Sequence, residues 1–194
     1  MDCSNCENKE CYQGKDCTNI KQEVVTSYKD KQNRKILKVS TEIEGRYYMK
    51  LTRSEELIEF SKRMGYKRLG VVFCIGLSQE AKTLTTLLKK KFKVFSVCCK
   101  VCGIDKKMFN LKQIDDKRYE AICDPIGQAK ILNRKKTDLN IILGLCMGHD
   151  ILFSKHSQAP VTTLVVKDRV LAHNPIGAIY SRYYHNKLNK IYGE

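Results

Sequence analysis

Residues 69–78 read Leu69-Gly70-Val71-Val72-Phe73-Cys74-Ile75-Gly76-Leu77-Ser78. The first six make an apolar run of strand length. Ser78 then caps a helix with Ala81, Leu84 and Leu88 inward and Lys82, Lys89 and Lys90 outward. A strand apolar on both faces and followed at once by a helix predicts a parallel strand covered by helices. No Gly-x-Gly-x-x-Gly follows it, so the phosphate-binding fingerprint of nicotinamide and flavin proteins is absent.

The same alternation extends both ways. Upstream, Thr52-Arg53-Ser54-Glu55 fits a capping box, Leu57, Phe60 and Met64 follow at helical spacing, and Gly65 ends the helix. Downstream, Val94 to Cys98 reads as a strand, 103–119 as a polar connection, and Tyr119 to Ile122 as a further short strand. Asp124-Pro125 joins an N-cap to proline at the first helical position and opens a helix to Asn133. Leu139 to Leu145 is the next strand, His149 to Lys155 a short helix, and Val161 to Val166 another strand. Asn174-Pro175 repeats the cap before a last helix with Tyr180, Tyr184, Leu188 and Ile191 on one face. The pattern predicts an α/β fold: a Rossmann-like, open, mostly parallel sheet with helices on both faces. It occupies residues 49–194. Residues 19–48 form a mainly helical connection, with Ile36, Leu37, Ile43 and Tyr47 on one stripe and Gly45 as a stop, and residues 1–18 a cysteine-rich segment.

The chain has 194 residues, 42 % of them hydrophobic and 29 % charged, enough for a core and too few glycines (11) and prolines (3) for a low-complexity chain. No run approaches the roughly 18 apolar residues of a membrane span, and the opening residues lack the pattern of a secretory signal. A globular cytoplasmic protein without a membrane partner is expected. Within that class, ten cysteines and a net charge of +15 stand out.

Thiols stay reduced in the cytosol, so metal binding or redox chemistry explains ten cysteines better than disulfides do. Cys3, Cys6, Cys11 and Cys17 lie among Asn, Glu, Lys and Gly, which could not form a core. Their spacing, Cys-x2-Cys-x4-Cys-x5-Cys, allows four thiolates to close around zinc or an iron–sulfur cluster as a small metal module. Four thiolates leave no open coordination position, which points to a structural ion.

The other six cysteines fall at strand ends. Cys74 ends one strand, Cys98 and Cys99 end the next with Cys102 close behind, Cys123 precedes the Asp124 cap, and Cys146 follows the strand ending at Leu145. His149 opens the following helix and His173 precedes Asn174-Pro175. Carboxyl ends of parallel strands share one edge of the sheet, where ligands bind and helix dipoles stabilise thiolates. Three readings compete. One is a metal site with Cys74, Cys99, Cys123 and Cys146 as ligands and Cys98, Cys102 and His149 as substitutes or neighbours, selecting zinc, copper(I) or iron–sulfur. Another is a cysteine-dependent enzyme in which Cys146 attacks and His149 is the base. In the third, single cysteines are plain core residues. The metal reading leads, with two centres in all. An iron–sulfur edge site implies electron transfer or redox sensing and a redox partner, whereas zinc with an open position implies activated water or a substrate thiol. His156 and His185 sit in exposed, lysine-rich surroundings and are read as solvated.

The charge allows a basic nucleic-acid-binding regulatory protein with a structural zinc module as the alternative. The lysines are spread along the chain, and arginine with aromatic interleaving is confined to Arg182-Tyr183-Tyr184, so nucleic acid is the weaker partner.

Phe73-Cys74-Ile75-Gly76-Leu77, Cys99-Lys100, Cys123-Asp124-Pro125-Ile126, Gly144-Leu145-Cys146-Met147-Gly148-His149-Asp150 and His173-Asn174-Pro175 together resemble a family of uncharacterised metal-binding proteins of anaerobic bacteria and archaea, catalogued as a domain of unknown function. The N-terminal four-cysteine segment resembles it too, so the likeness spans nearly the whole chain. It implies metal binding through Cys74, Cys99, Cys123 and Cys146, with Cys98 and Cys102 less firmly included, and it implies no reaction.

Overall fold

The computed structural model describes residues 1–193. The chain divides into two compact units, Met1–Leu51 and the remainder from Thr52 onward. In the first, a single 3-10 turn at Glu10–Gln13 precedes helices α1 (Lys21–Ser27) and α2 (Lys31–Tyr47). The Asp30 side chain caps α2 by accepting from the amides of Gln32 and Asn33. Val39 and Ile43, one turn apart, are its buried pair, whereas Leu37 is exposed and lies off the stripe that the spacing suggested. Gly45 does not stop the helix. A single glycine costs about 1 kcal/mol in a helix interior, too little to end one seventeen residues long.

In the second unit α3 (Arg53–Met64) starts with the expected capping box: Thr52 accepts from the Glu55 amide, and the Glu55 carboxylate accepts from the Thr52 amide at 2.7 Å. Gly65 closes it in the left-handed conformation, φ 78°. Next come β1 (Arg68–Phe73), α4 (Ser78–Lys89) and β2 (Lys93–Cys98). They are followed by α5 (Pro125–Arg134), β3 (Leu139–Leu143), α6 (His149–His156) and β4 (Val161–Val165). The four strands lie in the order β2-β1-β3-β4, all parallel. The predicted α/β architecture is the observed one.

Alternation along the strands separates two apolar layers. Leu69, Val71, Leu139, Ile141 and Leu143 pack with Leu57 of α3 and with Ala81, Leu84 and Leu88 of α4. Val72, Val97 and Ile142 pack with Ala129 and Leu132 of α5 and Phe153 of α6. The chain leaves β1 toward β2 and then returns past β1 to β3. Right-handed crossovers therefore put α4 and α5 on opposite faces.

Several local expectations are corrected. Ser78 does not cap α4: a 3-10 turn at Ile75–Leu77 runs directly into the helix, and no side chain caps it. Residues 119–122 contribute an isolated antiparallel bridge, Asp105 to Ala121, instead of a strand. β3 stops at Leu143 because Gly144 turns left-handed, φ 69°. The last helix is two, α7 (Gly177–Tyr180) and α8 (Arg182–Tyr192), broken at the extended Ser181; no side-chain cap opens α7, and Asn174 holds the Gly177 amide through its backbone oxygen.

Gly70 has a packing role. It faces the fully buried Asn140 across the β1–β3 pair, and a Cβ there would overlap Asn140 Oδ1 and stand 2.6 Å from Leu132 Cδ1. Asn140 in turn accepts from the Thr137 hydroxyl and donates to Ser157 Oγ, both at 2.8 Å. Gly70→Ala should therefore destabilise the protein by about 3 kcal/mol through overpacking. Urea unfolding would read this as a lower midpoint at similar slope; an unchanged midpoint would contradict the packing described.

Candidate functional site at the carboxyl edge of the sheet

The strand order reverses at β1, so the carboxyl ends of β1 and β3 flank the crevice in which open α/β sheets bind ligands. Cys74 follows β1 directly and is 8 % exposed. Its carbonyl accepts from the Leu77 amide, and this 3-10 turn folds the chain back before α4. Cys99 follows β2, is 2 % exposed, and donates its amide to Phe73 O at 2.9 Å, extending the β1–β2 ladder by one residue. Its sulfur accepts from the Ile75 amide at 3.3 Å, which holds it against the loop after β1.

A single backbone hydrogen bond brings in the third cysteine. The Asp124 amide donates to Cys99 O at 2.7 Å, while the Asp124 carboxylate caps α5 through the Gly127 amide at 2.8 Å. Cys123 is thereby held beside Cys99. The Cys99 thiol donates to the Cys123 sulfur, and the Lys100 ammonium bonds to it as well. Lys100 is anchored in turn on the Ala121 carbonyl. Gln128, fully buried on α5, donates to Val97 O at 2.8 Å and to Phe73 O at 3.4 Å, tying together the ends of β1 and β2.

Cys146 lies in the turn between β3 and α6. Arg169 donates to its sulfur at 2.8 Å, and its carbonyl accepts from the amides of His149 and Asp150, which starts α6. Gly144 permits this turn: a side chain there would need a left-handed backbone and would overlap Leu77.

The electrostatics follow from these neighbours. Cys123 is held down to about 5, chiefly by the Cys99 hydrogen bond and further by the positive charges of Lys100 and His149, against the opposing effect of burial. Cys99 moves the other way, because it donates to Cys123 and is itself buried beside the Cys123 and Cys74 sulfurs. Of the pair, Cys123 ionises and Cys99 keeps its proton. Burial raises Cys146, and the Cys74 and Cys123 sulfurs add to that, while Arg169 opposes them. Cys74, Cys99, Cys123 and Cys146 thus share one electrostatic neighbourhood.

The other predicted residues stand elsewhere. Alternation along β2 sends the Cys98 side chain to the face opposite Cys99. Cys102 is exposed and donates to the Asp124 carboxylate, which raises its own pKa. His149 acts by charge on Cys123, not on the cysteine nearest in sequence, with which it shares a backbone hydrogen bond. His173 accepts at Nδ1 from the Asp168 amide at 3.2 Å within a tight turn. In the N-terminal unit Cys3, Cys6, Cys11 and Cys17 are all exposed. Cys3 and Cys6 are joined by a weak turn hydrogen bond, Cys11 begins a turn closed by Gly14 at φ 93°, and Cys17 follows Asp16, whose carboxylate holds the amides of Thr18, Asn19 and Lys21. Among the described residues no three His, Cys, Asp or Glu side chains are grouped as ready metal ligands, and no disulfide pairs the cysteines. Sequence reasoning gave no role to Lys100, Arg169 or Gln128. Lys100 stands in it only as the neighbour of Cys99 in a motif, Arg169 lies in a loop far from Cys146 in sequence, and only a glutamine on the apolar side of α5 could have signalled a buried polar tie.

These features define a doubly wound α/β protein with a thiol-rich carboxyl edge. The chain belongs to a family described as protein of unknown function (DUF1847), which it matches over residues 11–164. That span contains the four sheet-edge cysteines, and Cys98 and Cys102 with them, but neither Cys3, Cys6 nor Arg169. The chain is 60 % identical over 189 residues to an uncharacterized protein of Methanocaldococcus jannaschii, covering 97 % of this chain and 98 % of that one. No solved structure matches it.

The charge pattern favours alkylation of Cys123 over Cys146. In chelator-treated protein, iodoacetamide at pH 6 should label Cys123 well ahead of Cys146, since a lowered pKa keeps the thiolate populated above about 5 and a raised one removes it. The rate at Cys123 should fall only as the pH drops through that value. Equal labelling of the two at pH 6, by peptide mass spectrometry, would contradict the assignment.

Proposed function

We propose that this is a soft-metal-binding protein whose carboxyl-edge thiols Cys74, Cys99, Cys123 and Cys146 hold zinc or an iron–sulfur cluster, with a second, structural ion on Cys3, Cys6, Cys11 and Cys17. The observation that carries the reading is the set of mutual charge effects linking four thiols, from three strand ends and a helix cap, with Cys99 and Cys123 hydrogen-bonded to each other. A purely structural set of small hydrophobes has no reason to gather with Lys100, Arg169 and His149 around it. Thiolate donors select soft ions, and Lys100, Arg169 and His149 offset the negative charge such a site accumulates. Binding replaces the hydrogen bond between Cys99 and Cys123 and the Arg169 contact to Cys146. At the N-terminus the argument is one of force: exposed thiols on a polar segment gain nothing from one another's company, and coordination supplies the free energy that gathers them.

Redox sensing or electron transfer is the role of the edge site if it holds iron–sulfur, and a reducing cytoplasm is the compartment that keeps its ligands as thiolates. The expected outcome is two centres in anaerobically purified protein. Cys123→Ser should lose one and spare the other, and Cys11→Ser should do the reverse, read by elemental analysis and the visible spectrum. Zinc and iron at trace level in the unsubstituted protein would refute the proposal.

A further inference from the structure

The sheet-edge thiols are not four equal partners: two of the sulfurs are in contact with each other. Cys99 and Cys123 are hydrogen-bonded through their thiols, and their backbones are pinned together by the Asp124 amide on Cys99 O. The two differ in access, since Cys99 is 2 % exposed and Cys123 is half-buried. Lys100 bonds to Cys123, and Arg169 is an exposed cation at the same rim. Cys102 is held apart on Asp124.

We propose that Cys99 and Cys123 are a redox-active dithiol that exchanges with small anionic disulfides, Cys123 attacking and Cys99 resolving. The Cys123 thiolate attacks one sulfur of the substrate disulfide, forms a new S–S bond and expels one thiolate. That thiolate takes the Cys99 proton. The Cys99 sulfur then attacks Cys123, breaks the mixed disulfide and expels the second thiolate, which is protonated from solvent. The substrate gains two electrons and leaves as two thiols; the protein loses two electrons and gains the Cys99–Cys123 disulfide. Side chains already in contact need little backbone movement to meet disulfide geometry. The cations at the rim favour a negatively charged substrate. This activity is independent of the metal reading, although it uses two of the same sulfurs; with an ion in place the same oxidation would remove two of its ligands.

The test uses the full chain carrying Cys3→Ser, Cys6→Ser, Cys11→Ser and Cys17→Ser, treated with chelator and held without oxygen, with oxidised glutathione as the anionic probe and cystamine as the cationic one. Oxidised glutathione should remove two hydrogens from the protein and link Cys99 to Cys123 in the fragment spectrum, about tenfold faster than cystamine does. Adding Cys99→Ser should trap a stable glutathione adduct on Cys123, and adding Cys123→Ser should leave Cys99 unmodified. Adding Cys74→Ser with Cys146→Ser should abolish metal binding at the edge while the disulfide still forms, so failure of the two readings is separately visible. A bond between other cysteines, an adduct that persists on unsubstituted Cys123, or faster reaction with cystamine would overturn the proposal.

Discussion

The reversal of strand order at β1 is the constraint on which the carboxyl edge depends. Because the chain goes first to β2 and then back past β1 to β3, the loops after β1 and β3 leave toward opposite faces and open a crevice between them. The apolar layers fix this order. Leu69 and Val71 are satisfied only against α3 and α4, and Val72 only against α5 and α6. A one-residue slip would exchange the faces of every side chain in the strand and mispack both layers. Cys74, Cys99 and Cys146 sit at fixed offsets from those strands, so the core that orders the sheet also sets where the sulfurs stand.

Three short devices then turn proximity into chemistry. The Asp124 cap does two things at once, opening α5 with its carboxylate and placing Cys123 with its amide. Gly144 ends β3 and lets the chain turn sharply enough for Arg169 to reach Cys146. Gln128 ties the carboxyl ends of β1 and β2 from beneath. Asp124 and Gln128 act through polar groups inside or beside an apolar core, and losing either would leave the amide or carbonyl it bonds without that partner, at a cost on the order of 1–3 kcal/mol.

Much of the fold was legible because its signals are local. The capping box at Thr52, the left-handed Gly65, the Asp124-Pro125 start and the apolar runs at 69–73 and 139–143 each declare themselves within a few residues. Ser78 misled because a cap-type residue next to an apolar run looks the same whether or not a 3-10 turn has already satisfied the helix. Tyr119 to Ile122 misled because a β-rich tetrapeptide becomes a strand only where a neighbour offers a full ladder, and here Asp105 offers one bridge. The position of the sheet-edge cysteines could be inferred from topology alone, but their inequality could not. Which sulfur meets which, and that Arg169 faces Cys146 while His149 acts on Cys123, are long-range facts that no spacing encodes.

The central claim is that thiols remote in sequence converge on one ion at the carboxyl edge. X-ray absorption at the metal edge of the zinc-loaded full chain, with Cys3, Cys6, Cys11 and Cys17 replaced by serine, tests it most directly. The account predicts a sulfur shell at about 2.3 Å built from three or four thiolates. A shell of oxygen and nitrogen with at most one sulfur would contradict it.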